Sequence, residues 1–377
     1  MKLIAFHLPQ FHPTSENDEW WGKGFTEWTN VTKAKPLYPG HYQPQLPADL
    51  GFYDLRLEES RLAQEALAKE YGIYGFCYYH YWFNGKQLLE TPINRKLKNP
   101  KEDLPFMFCW ANENWTRTWD GLDNEVLIQQ NYSEQDDLEH IRYLLPIFAD
   151  PRYIKINGKP IIAIYRSSKL PNPKKTIEIW QNEAQKAGMK LYVCRLDSFG
   201  GYGKTFLKPG FDAAIEFQPF TQALDNYSDY QFKKILNNKI LLKIKLRILA
   251  KLGNHKSIHS INERIRMYVY KNIDYNDYVD FIKSTYKFNK DYVLYPSVTP
   301  SWDNTARKGS NSFMLHHANP DKFKEWLQFN KENYANTDIQ EKLLFINAWN
   351  EWGEGNHLEP CQKWGHKYLQ AIKDIFK

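Results

Sequence analysis

Eight short apolar runs, at 3–6, 75–79, 106–110, 160–165, 191–196, 213–217, 293–298 and 343–349, punctuate the chain, and longer stretches with helical spacing separate most of them. The runs are too continuous for strands with one wet face. They read as strands buried on both sides, as in a parallel sheet covered by helices. Apolar positions three and four apart predict helices at 55–71, 134–148, 174–187, 276–286, 321–334 and 364–376. Eight strands with interposed helices predict an α/β fold, a (β/α)8 TIM barrel spanning 1–377 as a single catalytic domain, with a doubly wound open sheet as the competing architecture.

The residues around the ends of the runs favour the barrel. His7 and Gln10 follow the first run, and Tyr78, His80 and Trp82 close the second. Trp110, Asn112, Glu113 and Trp115 belong to the third, Arg166 to the fourth and Asp197 to the fifth. Glu216 and Gln218 mark the sixth, Trp302 the seventh, and Asn350, Glu351, Trp352, Glu354 and His357 the eighth. A barrel gathers such residues into one mouth, whereas an open sheet leaves its outer strands bare. The Gly-Gly-Tyr-Gly at 200–203 has neither Rossmann spacing nor a P-loop Lys-Ser/Thr pair, so a nucleotide fold finds little support.

One segment breaks the alternation. Residues 233–271 hold eleven Lys/Arg and one acid, Glu263, a local net of +10 in a chain of +6. Lys239, Lys243, Arg247 and Lys251 recur every four residues, and Leu241, Ile244, Ile248 and Leu252 form a second row. The pattern predicts an amphipathic basic helix within a helical insertion, 222–271, after the sixth strand. Such a helix can lie on an anionic membrane surface or pack its apolar row on the barrel. No recognised nucleic-acid module accompanies the charge, so no nucleic-acid partner is expected.

Composition narrows the chemistry. Thirteen Trp, 25 Tyr and 22 Phe exceed what a core needs, and such rings suit a flat, half-polar ligand such as a sugar. Trp82, Trp110, Trp115, Trp119 and Trp302 are the stacking candidates. Cys77, Cys109, Cys194 and Cys361 lie far apart without C-x-x-C pairing, so neither a disulfide framework nor a metal finger is predicted. The opening Met-Lys-Leu-Ile-Ala-Phe-His lacks the apolar length of a signal peptide, and the expectation is a cytoplasmic protein, peripheral to the inner membrane if the basic helix meets lipid. His316 and His317 are adjacent and no H-E-x-x-H occurs, so no metal or other cofactor is expected.

The sharpest local signal is Asn347-Ala-Trp-Asn-Glu-Trp-Gly-Glu-Gly-Asn-His-Leu-Glu-Pro360. E-x-x-E alone is common among solvated loop carboxylates. Here it follows an apolar strand and lies among Trp349, Trp352, Gly353 and Gly355, which favour close approach of a ligand. Two carboxylates at one site is the arrangement of glycosidic-bond chemistry, one protonating the leaving oxygen while the other acts ionised. Glu351 and Glu354 are therefore the candidate catalytic pair, with Glu113, between two amides, as reserve acid.

Leu-Pro-Gln-Phe-His-Pro at 8–13, Trp-Trp-Gly-Lys-Gly-Phe-Thr-Glu-Trp at 20–28, and the motifs at 78–86, 109–121 and 347–360 resemble the WbsX family of bacterial surface-polysaccharide clusters. Members are often labelled glycosyltransferases, and the family looks like a relative of the family 99 glycoside hydrolases, endo-acting α-mannosidases. The resemblance implies a (β/α)8 barrel acting on an oligosaccharide or polysaccharide by a retaining, metal-independent mechanism in O-antigen or capsule metabolism. It assigns Glu351 as base on the substrate 2-hydroxyl, forming a 1,2-anhydro sugar, and Glu354 as general acid and then base. The departure is Gly353, where the hydrolases commonly carry His. A glycosyltransferase using a lipid-linked acceptor and a non-catalytic glycan-binding barrel are the alternatives.

Overall fold

The computed structural model describes residues 1–117, 122–253, 255–288 and 291–377. Its centre is a ring of parallel strands: β1 (Lys2–His7), β2 (Gly75–Phe83), β3 (Phe106–Trp110), β4 (Lys159–Ile164), β5 (Tyr192–Asp197), β6 (Ala213–Glu216), β7 in two pieces (Leu294–Tyr295 and Ser297–Val298) and β8 (Leu343–Ile346). Neighbours pair in chain order, and β1 pairs with β8 through Leu3↔Leu344. Pro296 divides β7. Its first piece pairs with β6 (Ile215↔Tyr295) and its second with β8 (Val298↔Ile346), which closes the (β/α)8 barrel.

Each strand falls on one of the eight apolar runs because burial on both faces leaves no place for polar alternation. Ile4, Phe76, Phe108, Ile162, Val193, Ile215 and Phe345 are all essentially inaccessible to solvent. Gly75 opens β2 because a β-carbon there would stand 2.5 Å from the Pro105 carbonyl oxygen.

The helices are α1 (Ser15–Trp21), α2 (Glu27–Lys33), α3 (Glu58–Glu70), α4 (Thr91–Lys98), α5 (Glu134–Phe148), α6 (Pro173–Lys186), α7 (Gln222–Asn238), α8 (Ile240–Lys251), α9 (His255–Lys271), α10 (Tyr275–Thr285), α11 (Thr305–Lys308), α12 (Pro320–Tyr334) and α13 (Lys367–Phe376). Local chemistry sets their starts. The Ser133 hydroxyl accepts from the Asp136 amide at α5, and Asn172 and Asn319 cap α6 and α12 ahead of a proline.

The insertion after β6 is three helices rather than one. Asn237 and Asn238, poor helix formers, precede the break at Lys239, and Gly253, in a left-handed conformation, follows α8. The described part of the apolar row, which leaves out the Leu241 side chain, also points the other way from a packing face. Ile244, Ile248 and Leu252 are exposed, while Leu242, Leu246 and Leu249 are half-buried. Apolar residues on two sides of α8 make the inner row unreadable from spacing alone. Among the described residues, no helix is long and apolar enough to cross a membrane.

Candidate active site

At the carboxyl ends of the strands a cleft of about 410 Å³ opens, and Glu351 and Glu354 lie on its wall. The segment after β8 places them together. Asn350–Glu351 pairs antiparallel with Asn356–His357, and the turn Trp352–Glu354 lies between. The Asn350 amide fixes this turn to the end of β1, accepting from the Leu8 N–H at 2.7 Å and donating to the Leu8 carbonyl at 3.0 Å.

One guanidinium reaches both carboxylates. Arg307 Nη2 donates to Glu351 Oε2 at 3.0 Å and to Glu27 Oε1 at 2.9 Å, and Nη1 lies 2.5 Å from Glu354 Oε1. Glu27, at the start of α2, is wholly buried, and its Oε1 also accepts the Gly353 N–H at 2.9 Å. A β-carbon at position 353 would stand 2.0 Å from that oxygen. The glycine that departs from the hydrolase motif therefore makes room for the Glu27 carboxylate.

Three carboxylates around one cation leave a formal −2 in a sheltered place, and protonation relieves it. Burial, opposed by Arg307 and reinforced by Glu354 and Glu27, pushes the Glu351 carboxyl up to about 8. Burial raises Glu27 as well. A carboxyl poised near neutrality is suited to proton transfer, the task glycosidic chemistry requires.

Aromatic side chains line the rest of the cleft. Tyr79 and Tyr81 rise from β2, Tyr165 follows β4, Trp115 packs 5.1 Å from Tyr81, and Phe220 meets Trp302 edge-on at 4.8 Å. Arg166 lies 4.5 Å over the Phe199 ring and 3.4 Å from Glu113. Ring faces beside carboxylates, amides and cations form the mixed surface that a saccharide matches.

A family model described as Glycosyltransferase WbsX matches residues 3–372. The chain belongs to the WbsX family. Two WxcX proteins of Xanthomonas campestris pv. campestris, described as uncharacterized, are each 38% identical over 378 residues, covering 98% of this chain and 49% of theirs. The chain thus spans about half the length of the curated relatives it matches. Among solved structures, a GH99 endo-alpha-mannosidase from Bacteroides thetaiotaomicron, in complex with bis-tris-propane, superposes with TM-score 0.56 at 13% identity, over 100% of this chain and 95% of that one. A glycoside hydrolase-like protein gives 0.54 at 14%, over 100% and 94%. These likenesses show the fold, which this WbsX member shares with glycoside hydrolases.

Of the residues picked from the sequence, Gln10, Glu113, Trp115, Trp302, Glu351 and Glu354 line the cleft. Others stand behind it. His7 bonds Gln64 at 3.2 Å and packs on Tyr78, and Trp352 stacks on His357 at 3.7 Å while donating to Glu359. Asn350 and Asn112 are brackets, the latter holding the Arg166 backbone through both its amide N–H and its carbonyl. His80, Trp82 and Trp110 face the helix layer: His80 bonds His140 at 3.0 Å, Trp82 donates to Asp136 at 2.8 Å, and Trp110 packs on Trp180. Alternation along β2 explains this for His80 and Trp82, since Tyr79, Tyr81 and Phe83 take the cleft side and Tyr78, His80 and Trp82 the other.

Asp197 and Glu216 line a separate cavity of about 380 Å³, paired with Arg195 and Tyr286 respectively, and Gln218 is buried against Tyr278. Trp119 lies outside the described residues. Arg307 and Glu27 escaped the sequence reading. Arg307 sits on a four-residue helix with no period to read, whereas Glu27 stood inside the Trp-rich motif at 20–28.

Proposed function

We propose that the protein is a carbohydrate-active enzyme of bacterial surface-polysaccharide metabolism that cleaves or transfers a mannoside-like glycan with retention, using Glu351 and Glu354 and no metal. The observation that carries this reading is the single Arg307 guanidinium spanning both carboxylates on the wall of an aromatic cleft. In its ionised form Glu351 removes the proton of the 2-hydroxyl as O2 attacks the anomeric carbon, and Glu354, in its acid form, protonates the departing oxygen. A 1,2-anhydro sugar results. Glu354, now ionised, takes a proton from water or an acceptor hydroxyl, which attacks the anomeric carbon, while Glu351 returns a proton to O2. Burial raises the proton affinity of Glu351, which strengthens it as a base once it is ionised.

Transfer is favoured over hydrolysis by the family's description as a glycosyltransferase, and the same two steps serve both outcomes. Four buried, unpaired cysteines fit a reducing compartment and support action in the cytoplasm. The test is a co-crystal structure with a mannose-configured iminosugar. The ring is expected between the carboxylates, with Glu351 about 2.6–3.2 Å from the group at the 2-hydroxyl position. A ring bound elsewhere, or a cleft that stays empty at saturating inhibitor, overturns the assignment.

A further inference from the structure

The outer side of α8 carries an apolar strip framed by cations. Ile244, Ile248 and Leu252 are 46%, 53% and 74% exposed. With about 100° per residue, these three span roughly 80° of the helix, flanked by Lys245 on one side and Arg247 and Lys251 on the other. All three cations are exposed. The side turned towards the protein is taken by the half-buried Leu242, Leu246 and Leu249, so α8 is anchored without using the outer strip. Met267 and Tyr268 on α9 are exposed as well.

Aliphatic side chains left in water within a segment of net +10 match a partner that is anionic at its surface and apolar just beneath. A nucleic acid would engage the lysines but leave the isoleucines unmatched. The insertion is also tied to the cleft wall. Tyr270 of α9 packs 4.6 Å from Phe313, which packs against Phe220, and Phe220 lines the cleft.

We propose that α8 docks the protein on an anionic lipid bilayer, with Ile244, Ile248 and Leu252 entering the boundary between headgroups and acyl chains and Lys245, Arg247 and Lys251 meeting lipid phosphates. The docking stands independently of the catalytic reading. Its effect is to hold the cleft, through α9 and Phe313, beside a membrane-borne substrate.

The experiment is co-sedimentation of the full chain with phosphatidylcholine vesicles, with and without phosphatidylglycerol. Binding is expected only to the anionic vesicles and falls steeply with salt. Ile244→Ser/Ile248→Ser and Lys245→Ser/Arg247→Ser should each weaken the partition about tenfold or more while leaving the circular dichroism unchanged. Absence of binding to anionic vesicles, or binding by both variants equal to that of the wild-type chain, overturns the proposal. So does a fall in solution mass of the Ile244→Ser/Ile248→Ser variant without lipid, which would make the strip a contact between copies.

Discussion

The cleft and the insertion after β6 handle charge in opposite ways. In the cleft, three carboxylates share Arg307 in a sheltered place, and the protonation of Glu27 and Glu351 depends on their charged neighbours. Along α8 the cations stand in solvent, each attracting on its own account and each screened by salt. A buried knot of charge can hold a proton near neutrality and pass it on. A solvated stripe can only draw a partner in.

The strongest blow to this contrast is Arg307→Ala, which strips the knot of its shared cation. Removing one partner of a buried ionic group should cost about 3–5 kcal/mol in denaturant unfolding. A loss below about 1 kcal/mol, the value of an exposed pair, would erase the distinction between the two regions.

A subtler probe is pH. The folded Glu351 carboxyl keeps its proton up to about 8, whereas the unfolded one releases it near 4.5. Its contribution to stability is therefore fully present below pH 4.5 and is lost as pH rises through 8. Glu216, pushed by burial to about 8, and Glu359, pushed by burial to about 7, slope the same way. Glu351→Gln should flatten the fall in melting temperature between pH 5 and 8 without abolishing it. A difference between wild type and variant that stays constant over that range would mean that Glu351 is ionised throughout.

The smallest effect is expected at the exposed strip. Ile248→Ser or Lys251→Ser should change unfolding free energy by no more than about 0.5 kcal/mol. A larger loss would make α8 a prop for the barrel rather than a surface feature.

The barrel was legible because its strands are buried on both faces, and α5 was readable to the residue, 134–148. Helices α1, α2, α4 and α11 were not, since seven, seven, eight and four residues give too few turns for a period to emerge. Within the cleft, the positions of Glu351 and Glu354 could be read from a turn of fixed spacing after an apolar strand. The facing of β2 could not. Tyr78-Tyr-His-Tyr-Trp-Phe83 is aromatic on both sides, so its two-residue period is hidden and the inner tyrosines are recognisable only once the strand is built. Arg307 is joined to Glu351 and Glu354 by tertiary structure alone, 44 residues away from the nearer.

Positions 27 and 353 are sterically coupled, so a change at one constrains the other. A lineage that gains any side chain at 353 while keeping glutamate at 27 must pass through a collision at 2.0 Å. One that first shortens residue 27 removes that collision and leaves only the close approach to Arg307 Nε, at 2.9 Å. An alignment sorted by residue 353 should accordingly sort residue 27 as well, with glutamate confined to the glycine branch.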